Sequence, residues 1–205
     1  MTLPDESAIE NFLRIKENIG HVIFDRNNFM IHCGLDGQKA CACFDKAVSD
    51  GRILELCPGW YYDPHSSLVS PYIRDDLLDY VRPHEFFYVS FEYMLFKYGF
   101  IVDAVTTLTV ATTGEEEIIE TREGNIFLRH VDIDDVPKLE KILLWDSNRQ
   151  QYIATPKIAI MDSINADIQF AYTDRGVEFV ESGLPDLYEV QKLPQYGIYD
   201  VTLSR

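Results

Sequence analysis

Positive charge is scarce in this chain. Eighteen Lys and Arg stand against 34 Asp and Glu in 205 residues, a formal net charge of −16. Proteins that bind nucleic acid draw much of their affinity from cations set against phosphate. A broadly basic binding face is therefore excluded, and only a locally basic one is available. The deficit is uneven: residues 1–65 hold six Lys/Arg and ten Asp/Glu, a balance of −4, and the remainder carries −12. An acidic body of that size favours a basic partner.

Long apolar runs are also missing. No segment approaches the ~18 uninterrupted apolar residues of a membrane span. The N-terminal Met1-Thr-Leu-Pro-Asp-Glu has neither the basic nor the apolar part of a signal peptide, so cytoplasmic residence is expected. Cysteines number four, Cys33, Cys41, Cys43 and Cys57. Cys41-x-Cys43 lacks the two-to-four-residue spacer of a zinc pair and no second pair follows. Small buried thiols are the better reading, with His32, Cys33 and Cys57 as the alternative metal set. There is no phosphate loop, no His-Glu-x-x-His and no Gly-x-Ser-x-Gly. The Gly-Ser and paired-Asp signature of a nucleotidyltransferase is missing too. No enzymatic activity, metal or other cofactor is expected on these grounds.

What the chain does have is 46% apolar residues with modest Gly and Pro, the composition of a packed protein. Its most informative stretch runs from Gln38 to Tyr62. The spacing of Ala40, Cys43, Phe44, Ala47 and Val48 predicts a helix over Gln38–Asp50 with one buried stripe. Lys39, Ala42, Lys46 and Ser49 fall away from that stripe and suit a helix lying close to phosphates. Arg52–Cys57, Pro58-Gly59 and Trp60–Tyr62 then read as a tight β-hairpin. Helix followed by hairpin is the pattern of a winged helix-turn-helix. Before it, Ser7-x-x-Glu10 reads as a capping box for a helix over Ser7–Ile19, stopped by Gly20. A short β segment, His21–Phe24, precedes a helix over Arg26–Cys33, capped by Asp25 and ended by Gly34.

Asp63–Pro71 is polar and turn-rich and marks a domain boundary, giving a head over residues 1–65 and a body over 72–205. In the body, helices are expected at Ile73–Tyr80 and at Phe91–Tyr98, the latter apolar on nearly every side with Ser90 as its N-cap. Ala104–Ala111, Ile118–Thr121, Asn125–Val131, Leu139–Trp145 and Gln151–Ala154 read as strands. Thr155-Pro156 opens a helix to about Ile164. The tail, with Tyr172, Phe179, Tyr188, Tyr196 and Tyr199, has too poor a periodicity to place. The fold class expected is therefore α+β: an N-terminal winged helix-turn-helix and a mixed α/β domain with a small sheet.

Other candidate residues have simpler explanations. Asp132-x-Asp134-Asp135 has the oxygen ligands a divalent ion prefers, but its place between two strands fits a solvated turn. Arg129 and His130 end a strand, where alternate residues must face solvent. Lys157 and Asp162, five residues apart, do not share a helix face, and a structural role is the better reading. The aromatics from Phe86 to Tyr98 fit a core more readily than a partner surface.

Several segments together resemble the AbiEi family of antitoxins from type IV toxin–antitoxin and abortive-infection systems. They are DKAVSDGRILELCPGWYY in the head, YVSFEYMLFKYGF at 88–100, LTVATTG at 108–114, GNIFLRHV at 124–131, and IATPKIAIMDSI at 153–164, which carries Lys157 and Asp162. The likeness spans roughly residues 7 to 165 and rests on the order of the blocks. It implies a winged helix that binds operator DNA upstream of its own gene, and a C-terminal domain that counteracts a nucleotidyltransferase-like toxin. On that reading the Gln38–Asp50 helix enters the major groove, Gln38, Lys39, Lys46 and Arg52 contact phosphate or base edges, and Cys57–Gly59 touches the adjacent backbone. The chain departs from the family in its acidity, in the few cations on its third helix and in the segment after Ile164. The alternative reading is a protein-interaction module, whose acidic body binds a basic partner and whose head binds no DNA.

Overall fold

The computed structural model describes residues 4–132 and 142–183. It divides into two compact units, residues 1–73 with 121–123, and residues 74–120 with 124–205.

The first unit runs α1 (Pro4–Asn18), β1 (Ile23–Asp25), α2 (Arg26–His32), α3 (Gly37–Ser49), β2 (Leu54–Cys57) and β3 (Trp60–Tyr62). Helix α1 starts before Ser7, with Pro4 in its first turn, where a missing N–H costs nothing. Ser7 is thus inside the helix and the expected capping box does not open it. The next two caps match their sequence signals. Asp25 accepts from the Asn28 N–H at 2.6 Å to start α2, and Asp36 accepts from the Lys39 N–H at 3.1 Å to start α3. The three strands form an antiparallel sheet in the order β1-β3-β2. The β2–β3 turn is Pro58-Gly59, and Gly59 has φ +86°, which a side chain would resist. This element order and sheet are those of a winged helix-turn-helix-like unit.

Its core is a run of aromatic rings. Phe12 meets Phe24 and Phe29 edge-on, each at 5.0 Å, Phe29 meets Phe44 at 5.3 Å, and Phe44 meets Tyr61 at 4.9 Å. Each such pair adds about 0.5–1.5 kcal/mol to simple burial. The run links every helix of the unit to its sheet, and so fixes how α3 stands against the hairpin.

The second unit holds α4 (Ile73–Val81), β4 (Phe87–Val89), α5 (Phe91–Lys97), β5 (Leu108–Thr112), β6 (Glu117–Ile119), β7 (Ile126–His130), β8 (Leu144–Asp146), β9 (Gln151–Ile153), α6 (Pro156–Asn165) and α7 (Asp174–Glu181). Its sheet has six strands among the described residues, larger than the small sheet expected, in the order β6-β7-β5-β4-β9-β8. Strand β4 pairs antiparallel with β5 and parallel with β9, and β5 pairs parallel with β7. Every residue of β5 is buried, as befits a central strand. Of the expected strand Leu139–Trp145, residues 139–141 lie outside the described residues, as do Tyr188, Tyr196 and Tyr199 of the tail.

A buried ion pair fastens this unit. The Arg149 guanidinium pairs with Asp75 on α4 and donates to the Tyr93 hydroxyl on α5 at 2.9 Å. Its Nε lies 3.5 Å from Asp146 on β8. Helices α4 and α5 and the β8–β9 hairpin, three separate pieces of chain, thus meet on one cation.

Helix α7 is the element the sequence hid. Thr173 caps it, accepting from the Gly176 N–H at 3.1 Å. A Cβ at Gly176 would stand 2.2 Å from the Phe100 carbonyl oxygen. Close backbone approach demands a glycine there, although glycine weakens a helix and blurs its pattern.

Candidate functional site

Helix α3 presents two distinct faces. Ala40, Cys43, Phe44 and Ala47 are buried, while Gln38, Lys39, Ala42, Asp45, Lys46 and Ser49 are exposed. At ~100° per residue the exposed six share one arc of roughly 120°. Three of the four residues assigned to DNA contact, Gln38, Lys39 and Lys46, lie together on it. Arg52 does not belong to that arc. It follows Gly51 at the end of α3, and its Nη2 lies 3.5 Å from Glu10 on α1.

The electrostatics of this face are nearly balanced. Lys39 lies 3.3 Å from Asp36, the residue that caps its own helix. Asp45 stands on the arc beside Lys46 and holds Arg26 at 2.8 Å. Sequence reasoning missed both Asp45 and Arg26. The helical period would have placed Asp45, since it lies three residues past Ala42. Arg26 is brought in by folding alone: its guanidinium sits over the Phe44 ring, 5.2 Å from the centroid, and reaches Asp45 from there.

The hairpin is a short wing. From Ile53 to Tyr62 it carries no Lys or Arg. At its tip the Gly59 N–H is taken by Glu55 at 3.1 Å. This tip has a carboxylate where a phosphate-binding wing would carry a cation.

The second unit gathers Tyr88, Ser90 and Asp162, which come from β4, the turn after it, and α6. The Tyr88 hydroxyl donates to Asp162 Oδ2 at 3.1 Å, and the Ser90 hydroxyl donates to the same oxygen. Ser90 stands at the N-cap of α5 but makes no side-chain cap; its hydroxyl serves Asp162 instead. Phe91, next in the chain, has φ +56°, so the backbone is forced through this turn. Burial pushes the Asp162 carboxyl up to about 6, against the pull of its two hydroxyl donors, and raises the Tyr88 phenol. Ser90 is fully sealed from solvent, which denies it a substrate. The trio ties α6 to the strand–helix turn, consistent with a structural role for Asp162. Lys157, half-buried on the same helix, is not part of it.

The remaining candidates resolve simply. His130 is exposed, with Nδ1 2.8 Å from the Gly114 carbonyl and Nε2 3.3 Å from Asp132. Its pKa is raised, chiefly by the Gly114 carbonyl and then by Asp132. Asp134 and Asp135 lie outside the described residues. Arg129 lies over the Phe127 ring at 4.1 Å. Cys33, Cys43 and Cys57 are buried, Cys41 is half-buried, and none of the four is in a disulfide. Among the described residues no group of three His, Cys, Asp or Glu is placed to hold a metal ion. No helix among them is long and apolar enough to cross a membrane. Comparison with protein families, with curated proteins and with solved structures finds nothing that matches this chain.

Proposed function

We propose that this protein is a DNA-binding autorepressor and antitoxin of the AbiEi kind. The first unit binds operator DNA upstream of its own gene, and the second counteracts a nucleotidyltransferase-like toxin. No catalytic step is assigned to it. One observation carries the reading: α3 offers an exposed arc, Gln38, Lys39, Ala42, Asp45, Lys46 and Ser49, on a winged helix-like unit. A helix so presented fits a major groove, with small side chains allowing close approach and a lysine at each end for phosphate. The test is binding of the full chain to the upstream duplex against a scrambled duplex at 50 and 200 mM salt. Lys46→Glu is expected to cost about tenfold or more at the lower salt, where one phosphate contact counts most. Equal affinity for both duplexes, or an unchanged Lys46→Glu, overturns the proposal.

A second reading is supported by the charges of the same unit. Arg26, Lys39 and Arg52 are each engaged by a carboxylate of their own chain, and the wing has no cation. On this reading the head is a scaffold and the −12 remainder of the chain binds a basic protein. Pull-down from the native host followed by salt titration separates the two: a partner released as salt rises marks electrostatic engagement.

A further inference from the structure

The six-stranded sheet ends at β6, which pairs antiparallel with β7 and with no other strand among the described residues. In an antiparallel strand, alternate residues turn their backbone N–H and C=O groups away from the partner. The outer side of β6 is therefore an edge on which a further strand can pair. Folded proteins commonly blunt such an edge with a bulge, a proline or a lysine. Here the register runs Glu117↔Leu128, Ile118↔Phe127 and Ile119↔Ile126 without a shift, and residues 114–121 contain no Pro, Lys or Arg. Ile118 is 56% exposed. Its cross-strand neighbour Phe127 is half-buried, with the Arg129 guanidinium over its ring, so an apolar step stands beside the edge.

Charge selects the occupant. Residues 114–121 carry four carboxylates, Glu115, Glu116, Glu117 and Glu120, all exposed. Glu117 is engaged by Arg82. The other three form no ion pair with another described residue. A second copy of this chain would set like charges opposite each other across the new ladder, which opposes pairing. A cationic strand instead places Lys or Arg beside these carboxylates and an apolar side chain beside Ile118. In strand addition of this kind, backbone pairing supplies the affinity and the side chains supply the selectivity.

We propose that the outer edge of β6 binds an extended, lysine- or arginine-rich segment of a partner protein as an added strand. This deepens the second reading above, in which the acidic body engages a basic protein, and gives that engagement a place. The experiment follows the fluorescence anisotropy of labelled acetyl-Lys-Lys-Val-Val-Lys-Lys-amide on the full chain at 50 mM salt. This probe is palindromic, so it pairs in either strand direction. Its Kd is expected to lie below about 1 mM, with Glu-Glu-Val-Val-Glu-Glu at least about tenfold weaker. Lys-Lys-Pro-Pro-Lys-Lys keeps the charge but has no N–H at its centre, and it too is expected to bind at least about tenfold more weakly. Ile118→Lys puts a cation in place of the apolar contact and is expected to cost at least about tenfold. Backbone amide exchange within Glu117–Ile119 of the unsubstituted protein is expected to slow on adding the probe, a readout that holds even if Ile118→Lys fails to fold. The proposal is overturned if the probe does not bind at millimolar concentration, if a folded Ile118→Lys binds it undiminished, or if that exchange is unchanged at saturation. It is also overturned if light scattering shows the chain to self-associate and Ile118→Lys to abolish the association, since a second copy then holds the edge. Equal binding of the valine and proline peptides overturns it too but leaves the second reading standing, because a basic partner would then be held by charge alone.

Discussion

Replacing Asp45 with asparagine is expected to tighten duplex binding, although it removes an ion pair. Asp45 lies on the exposed arc of α3, and its carboxylate, 62% exposed, holds Arg26 at 2.8 Å. Neutralising it deletes one repulsion toward phosphate and releases one guanidinium for a phosphate contact. Each such contact adds ~0.9 to the slope of log affinity against log salt. Taking the gain as nil at 1 M, one extra contact gives about 15-fold at 50 mM and about 4-fold at 200 mM. Stability should barely move, because an exposed ion pair contributes about 0.2–1 kcal/mol. The assay is fluorescence anisotropy of a labelled upstream duplex with wild type and Asp45→Asn at several salt concentrations, with thermal melts as the folding control. A folded variant whose affinity at 50 mM is unchanged or lower would refute the placement of the groove face. A gain that does not shrink as salt rises would refute the electrostatic argument itself.

Three further outcomes are expected. Phe44, 1% exposed and packed on Phe29 and Tyr61, is expected to cost about 3–5 kcal/mol as Phe44→Ala; urea denaturation followed by Trp60 fluorescence in a Trp145→Phe background checks it, and a loss under about 1 kcal/mol contradicts the ring-stacked core. Asp75→Asn leaves the Arg149 guanidinium buried without its main partner and is expected to cost about 3–5 kcal/mol, whereas the double change Asp75→Leu with Arg149→Met is expected to lie much nearer wild type; equal losses in the two proteins would show that the pair does not act as a unit. Asp162 ionises near 6 in the folded protein against an ordinary 3.8, so the folded state holds its proton longer than the unfolded chain. Its contribution is therefore present below about pH 4 and lost as pH rises to about 6. The stability of Asp162→Asn relative to wild type should accordingly be greater at pH 7.5 than at pH 4, by on the order of 2–3 kcal/mol. Denaturant titrations of both proteins at the two pH values decide it, and a difference that does not change with pH excludes the buried carboxyl.

The local elements were legible because their signals are local. Asp25 and Thr155 cap their helices through side chains three residues from the N–H they accept, and Pro58-Gly59 makes the hairpin turn it promises. Two exceptions show where this stops. Ser90 has the right type and place for a cap, yet its hydroxyl is taken by Asp162, 72 residues away. Gly176 weakens the pattern of α7 because the Phe100 carbonyl leaves no room for a Cβ.

The sequence by itself thus determined most of the elements and their order, the buried stripe of α3 and the shortage of cations that any phosphate-binding reading must meet. Only the tertiary structure decided which charges those cations face. It set Arg26 over Phe44 and against Asp45, drew Arg52 to Glu10, buried Arg149 among Asp75, Asp146 and Tyr93, and turned the Ser90 and Tyr88 hydroxyls onto Asp162. The physical reason is range. Caps, turns and periodicity act over a few residues, whereas ion pairing and burial depend on residues that meet only after the chain has folded.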